Sequence, residues 1–288
     1  MSEWRPGCPM NGCDNYFLGL PAWAFPGWSN RYFTDKPSRL ASYAEVFNSV
    51  EGNTTFYQVP GADTVQRWRD ALADTGFRFC FKLPREVTHE RKPDGRVLER
   101  FLDAIEPLDA LIGPLLVQFP ATFGPSDLEI ASGLLRELAE RHRFVLEVRH
   151  PAFFDDPELL EPAFESASGR VILDSRPLYE GDRSHPDVLA ALHKKPDVPV
   201  DPAKPGEVAF VRLILHPDLD SNRSYIDEWA GHVAGYLADG IETYMMIHCP
   251  NNLHCPPLAL DFHESLRRLS PDVPALPGWP VPEQMSLV

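Results

Sequence analysis

The chain has 288 residues (32.4 kDa), 43% of them hydrophobic, and carries 27 basic against 42 acidic side chains for a net charge of −15. The apolar content is enough for a core of one large domain or two small ones, and the acid excess argues against a nucleic-acid partner unless a local basic patch opposes the global field. No apolar run approaches the roughly 18 residues of a membrane span, the N-terminus lacks the apolar stretch of a secretory signal, and five cysteines (Cys8, Cys13, Cys80, Cys249, Cys255) are an odd number, so a cytoplasmic protein with reduced thiols is expected.

Residues 1–15 read as an irregular extension. Tyr16 to Leu20 predicts a first strand, followed by the aromatic loop around Trp23 and Trp28. Leu40 to Phe47 has helical spacing; Phe47 to Glu51 predicts the second strand, with Gly52 and Asn53 suited to a tight departure. Thr64 to Ala73 reads as a helix with Val65, Trp68 and Leu72 on one face. Phe77 to Leu83 alternates and is stopped by Pro84, which predicts a third strand delivering Lys82, with Thr88 and His89 in the loop beyond. A helix from Val97 to Leu111 precedes a fourth strand, Leu115 to Phe119, carrying Gln118.

Asp127 to Arg141 is helical in pattern, and Phe144 to Arg149 predicts the fifth strand, with Glu147 inside an apolar run and His150-Pro151 closing it. A charge at such a place is paired or belongs to a site, because burial alone is costly. The acidic stretch Asp155 to Ala167 is expected to hold the next helix, and Arg170 to Asp174 the sixth strand, followed by Arg176-Pro177. Residues 179–206 are charged, proline-rich and weakly periodic, and predict a long loop or lid without its own core. Val208 to Leu215 is the seventh predicted strand, with Arg212 within it and His216 beyond; Tyr225 to Leu237 follows as a helix. Glu242 to His248 is the eighth, leading to Pro250-Asn251, and Leu258 to Leu269 is the closing helix.

Eight strands separated by helical patterns predict a (β/α)8 TIM barrel, one domain spanning the chain. A doubly wound dinucleotide-binding sheet would show a glycine-rich first turn, and P-A-W-A-F-P-G-W stands there instead. A barrel builds its site at the C-terminal ends of its strands, and that end receives Glu51, Asn53, Lys82, His89, Gln118, Glu147, Arg149, His150, Asp174, Arg176, Arg212, His216, His248 and Asn251. Glu147, His248, Lys82 and Asp174 are the candidate catalytic groups, with Glu147 as general base or electrostatic partner and His248 or Lys82 as acid. Arg149, Arg176 and Arg212 are placed to hold a carboxylate or phosphate, with Glu51, Asn53, His89, Gln118, His150 and Asn251 as further binding groups.

The bland readings are a structural ion pair for Glu147 and Arg212 and a loop clamp for Asp174 and Arg176. The sequence singles out no particular cofactor and leaves that point open. The H-C-x4-H-C cluster at His248, Cys249, His254 and Cys255 matches no usual zinc spacing, and a metal site built from Glu51, Glu147 and Asp174 is kept as an alternative. No P-loop, G-x-S-x-G elbow or H-E-x-x-H motif is present.

F-N-S-V-E-G-N-T-T-F-Y at Phe47–Tyr57, the run Phe77–Pro84 with Thr88-His89, and G-P-L-L-V-Q-F-P-A-T-F at Gly113–Phe123 go together with E-V-R-H-P at Glu147–Pro151 and I-L-D-S-R-P at Ile172–Pro177. With Arg212 in F-V-R-L, the segment His248–Asn251 and Q-M-S-L at Gln284–Leu287, these resemble the DUF72 (YecE-like) family over about residues 15–288. The resemblance implies a TIM barrel with a crowded, charged mouth in bacterial or archaeal intracellular proteins, and brings no chemistry. It carries over Glu51, Asn53, Lys82, His89, Gln118, Glu147, Arg149, His150, Asp174, Arg176, Arg212 and His248; Cys249 and Cys255 depart from its pattern. The expected activity is acid–base catalysis on a small polar or anionic metabolite. The alternatives are a metal-dependent phosphodiesterase or nuclease, and a non-catalytic binding or sensing protein.

Overall fold

A computed structural model describes residues 14–73, 75–90, 94–203 and 206–280. Cys8, Cys13, most of the expected N-terminal extension and the Q-M-S-L segment lie outside the described residues. Eight parallel strands run β1 (Tyr16–Leu20), β2 (Ser49–Gly52), β3 (Arg78–Phe81), β4 (Leu115–Gln118), β5 (Phe144–Glu147), β6 (Gly169–Asp174), β7 (Val208–Ile214) and β8 (Glu242–His248). Their hydrogen-bonded order is β3-β2-β1-β8-β7-β6-β5-β4. Single bridges from Phe79 to Ile112 and from Lys82 to Leu116 join the two ends, so the sheet is a nearly closed barrel. Proline follows several strand ends (Pro84, Pro120, Pro151, Pro217, Pro250), where its missing N–H stops the ladder.

Alternation along each strand sorts residues to the two sides of the barrel wall. Phe17, Cys80, Leu116, Val145, Val171, Phe210, Tyr244 and Met246 form one buried cluster that plugs the barrel, with Tyr244 stacked on Phe17 and Phe210. At Gly19 an added Cβ would lie 2.7 Å from the Ser49 carbonyl oxygen and 2.8 Å from Met246 Sδ, so only glycine fits inside that layer. The outward residues pack under the helices. Ile226, Trp229, Ala230 and Val233 of the helix Arg223–Ala238, and Leu258, Phe262 and Leu266 of Cys255–Leu269, repeat at three- and four-residue steps and are buried in this outer core.

Two stretches differ from expectation. The single helix expected in 155–167 is broken into Ala152–Asp155, Pro157–Leu160 and Glu161–Phe164, because Pro157 has no N–H with which to continue a helix. The loop or lid expected over 179–206 is partly helical and packs on the barrel. Helices Arg176–Glu180 and Pro186–Leu192 lie in it, and Leu178, Val188 and Ala191 form a buried cluster with Leu173 and Ile214. Those two strand residues share the inner face of the barrel, so the segment docks on the barrel mouth rather than hanging off it. Among the described residues no helix is long and apolar enough to cross a membrane.

Candidate functional site

The residues above the apolar plug, on the same inward parity, are polar. Glu51 pairs in register with Cys80, Gln118 with Glu147, Leu173 with Arg212, and Ile214 with His248, so one layer of the barrel carries Glu51, Gln118, Glu147, Arg212 and His248. Arg212 stands at its centre. Its Nε and Nη2 each donate to the Glu51 carboxylate at 2.8 Å, and Nη1 donates to Glu147 Oε2 at 2.5 Å. Glu147 Oε1 also accepts from Arg149 Nε at 2.7 Å, and Arg149 Nη2 donates to Gln118 Oε1 at 2.9 Å. Asn53 donates from Nδ2 to Glu51 Oε1 (2.8 Å) and to the Pro21 carbonyl (3.1 Å). His248 Nε2 lies 3.0 Å from Glu51 Oε2.

Glu51, Glu147 and Arg212 are buried, and ions in such a place persist only when every charge is matched. Burial pushes the Glu147 carboxyl up, but Arg212 and Arg149 outweigh it and hold the group down at about 2. Glu51 is likewise held well below the carboxylate range, by Arg212 and His248 against the effect of burial. For His248 burial wins: its pKa falls to about 4 despite Glu51, so at neutral pH a neutral imidazole donates Nε2–H to the carboxylate.

Over this layer opens a cavity of about 510 Å³ lined in part by Asn53, Phe56, Lys82, Gln118, Arg149, Arg212 and His248. The docked segment after β6 supplies its other wall through Asp187, Lys194 and Lys195. Lys82 Nζ sits 3.9 Å from the centre of the Phe56 ring and has no carboxylate partner among the described residues. Burial, then the nearby Arg212, pushes its pKa down to about 8, and the same two causes bring Lys195 to about 8. His89 packs edge-on against Phe56, its Nδ1 is 2.8 Å from Thr88 Oγ1, and burial followed by Lys82 holds it neutral at about 4. It lines a neighbouring cavity of about 400 Å³ with Phe119 and Phe123.

Five expected site residues stand elsewhere. Asp174 follows the inward Leu173 and therefore faces out, in register with Leu213 of the outer core. It accepts from Trp229 Nε1 (2.7 Å) and from the backbone N–H and guanidinium of Arg176, which also binds Glu228. The two form a clamp between β6 and the helix Arg223–Ala238. Arg212 separates Glu51 from Glu147 and Asp174 is on the outer face, so these three carboxylates do not converge on a metal position, and no group of three or more His, Cys, Asp or Glu among the described residues does so. His150 accepts from Ala152 N–H and packs near Phe153. Asn251 caps the turn Asn252–His254 and donates to Asp187 Oδ2 at 3.3 Å, which ties the docked segment to β8. His216 accepts from Asp218 N–H and bonds the Asp182 carbonyl. Cys80, Cys249 and Cys255 are free and buried, and burial pushes Cys249 up to about 12.

Lys194, Lys195 and Asp187 escaped the reading from sequence because their segment has no periodic signal. Composition held a clue: of 27 basic residues only six are lysine (Lys36, Lys82, Lys92, Lys194, Lys195, Lys204). Three of the four lysines among the described residues line this cavity.

A family model for "Protein of unknown function DUF72" matches residues 17–282. The chain belongs to the DUF72 family. It is 36% identical over 279 residues to the UPF0759 protein YecE of Escherichia coli K12, covering 94% of this chain and 99% of that protein, with the same figures for YecE of E. coli O157:H7. Among solved structures, a DUF72 protein of Enterococcus faecalis V583 superposes with a TM-score of 0.68 at 18% identity, covering 88% of this chain and 95% of that one. One from Thermotoga maritima MSB8 gives 0.64 at 19%, covering 88% and 99%. At such identities these two speak for the DUF72 fold alone.

Proposed function

We propose that the barrel mouth binds a small anionic or polar metabolite and acts on it by acid–base chemistry. The observation that carries this reading is the concentration of Lys82, Lys194, Lys195 and Arg149 around one cavity in a chain of net charge −15. Positive groups gathered against so acidic a background focus the field into the cavity and favour an anion there. Arg149 Nη1 has no partner among the described residues and can take a carboxylate or phosphate oxygen, while Gln118 and Glu147 fix the guanidinium plane.

Lys82 is the proton-transfer group in this account, because an amine pushed down to about 8 exchanges protons near neutral pH. Glu147 serves as an anchor for Arg212 and Arg149, since a carboxylate held at about 2 is a weak base. The nuclease alternative ranks below this one, because Arg212 occupies the space between the two acids that would bind a metal. A cytoplasmic location is part of the proposal and is supported by the free, buried thiols.

The test is thermal unfolding against a panel of small phosphates, phosphate esters and carboxylates, followed by turnover assays on those that bind. Ligand at about a hundred times its Kd should add about 2.7 kcal/mol of stability, a shift of several degrees. The shift should vanish in Arg149→Met. A protein indifferent to every anion would contradict the reading, and binding without turnover would leave a sensor in place of an enzyme.

A further inference from the structure

The cavity's use of lysine is not explained by charge. The chain uses arginine for most of its positive groups, yet three of the four lysines among the described residues line this one site. Arginine would hold an anion more firmly, because its fork is bidentate and always charged. An amine can do one thing that a guanidinium in a protein cannot: it can lose its proton and attack a carbonyl carbon. Lysines that form imines are activated by desolvation or by a neighbouring cation, and Lys82 has both, lying half-buried against Phe56 and in the same cavity as Arg212 and Arg149. It is not neutralised by a carboxylate, since Glu51 and Glu147 are occupied by Arg212, Arg149, Asn53 and His248. It is fixed at the end of β3, where its backbone bridges to Leu116 and its carbonyl accepts from Thr55 Oγ1 at 2.7 Å.

We propose that Lys82 is a nucleophile that condenses with a small anionic aldehyde or 2-oxo acid, whose anionic end is held by Arg149 and Lys195. The inference rests on the anion-binding reading above, names its substrate class, and gives Lys82 a covalent role in place of proton transfer, which passes to Lys195. The neutral Lys82 amine adds to the carbonyl carbon, and its proton passes to the carbonyl oxygen to give a carbinolamine. Loss of that hydroxyl as water, with a proton from the Lys195 ammonium, leaves a protonated imine, and Lys195 regains its proton from the product water or solvent. Nothing is oxidised or reduced. The imine draws electrons from the adjacent carbon, so a bond at that carbon is the one the site would break.

The experiment incubates the whole protein with glyoxylate and sodium cyanoborohydride at pH 8 and maps alkylated lysines by peptide mass spectrometry, with the exposed Lys36 as internal comparator. Hydride reduces any imine to a stable secondary amine at the residue that formed it. Lys82 should be labelled at least tenfold faster than Lys36, and inorganic phosphate should suppress Lys82 labelling while leaving Lys36 unaffected. Lys82→Arg, checked for an unchanged unfolding temperature, should lose the fast phase. Labelling that tracks exposure, with Lys36 at or ahead of Lys82, overturns the inference, as does a fast adduct on Lys195. If phosphate still raises the unfolding temperature in that case, the anion site stands and only the nucleophile is lost. If phosphate has no effect either, both fall.

Discussion

At the scale of single residues, Arg212 holds the mouth together. It bridges two buried carboxylates that come from strands 161 and 65 residues away in sequence. Three charged groups at this depth contribute little net stability as a set, but removing the middle one leaves two acids without their counter-charge. Arg212→Met is therefore expected to cost about 3–5 kcal/mol, the range for breaking a buried pair, read by urea denaturation. A loss under about 1 kcal/mol would mean that water reaches these acids and screens them as it does surface pairs.

Glu147, Arg149, Glu51, Lys82, Gln118 and His248 were recognisable as mouth residues from polar side chains at the ends of apolar runs. Asp174 and His150 satisfied that rule and still point elsewhere. The finer signal was parity: Leu173 faces in, so Asp174 faces out, and His150 follows the inward Arg149. Which acid pairs with which arginine was not readable, because those contacts join strands distant in the chain and depend on barrel register.

At the scale of elements, the segment between β6 and β7 decides the shape of the cavity. Tyr179 OH donates to the Lys195 carbonyl at 2.5 Å and the Leu192 carbonyl at 3.1 Å, and Ser175 Oγ donates to the Pro196 carbonyl at 2.6 Å. These bonds hold Lys195 over the mouth while Leu178, Val188 and Ala191 seat the helices. Tyr179→Phe should lose about 1 kcal/mol and speed hydrogen exchange across residues 186–196, with β5 to β8 unchanged. Exchange that rises uniformly through the barrel would show that the segment unfolds only with the whole. The segment read as a loop from sequence because its apolar residues are few and proline divides them; its order comes from docking, which no local pattern encodes. The strands were legible for the opposite reason, since β1 and β8 have their predicted bounds from runs of apolar residues alone.

For the whole molecule, buried titratable groups set the response to acid. His248 and His263 are buried and pushed down to about 4, so as pH falls through about 6.5 the unfolded chain takes up protons that the folded chain refuses. Their contribution, on the order of 3 kcal/mol each, is present above about 6.5 and lost between 6.5 and 4. Glu147, depressed to about 2, contributes above its unfolded value of 4.5 and loses that between 4.5 and 2. Stability should thus begin to fall near pH 6.5, before carboxylates alone would act, and steepen below 4.5. Urea midpoints that stay level from pH 8 to 5 would contradict the neutral, buried histidines.

An anion is expected at the mouth of the barrel, between the β-strand ends and the docked segment. Crystals of the protein soaked in selenate, whose selenium scatters anomalously, test it without altering any residue. An anomalous peak is expected within hydrogen-bonding distance of Arg149 and at least one of Lys82 and Lys195. Selenate bound only on the outer surface, with the mouth holding none at saturating concentration, would contradict it.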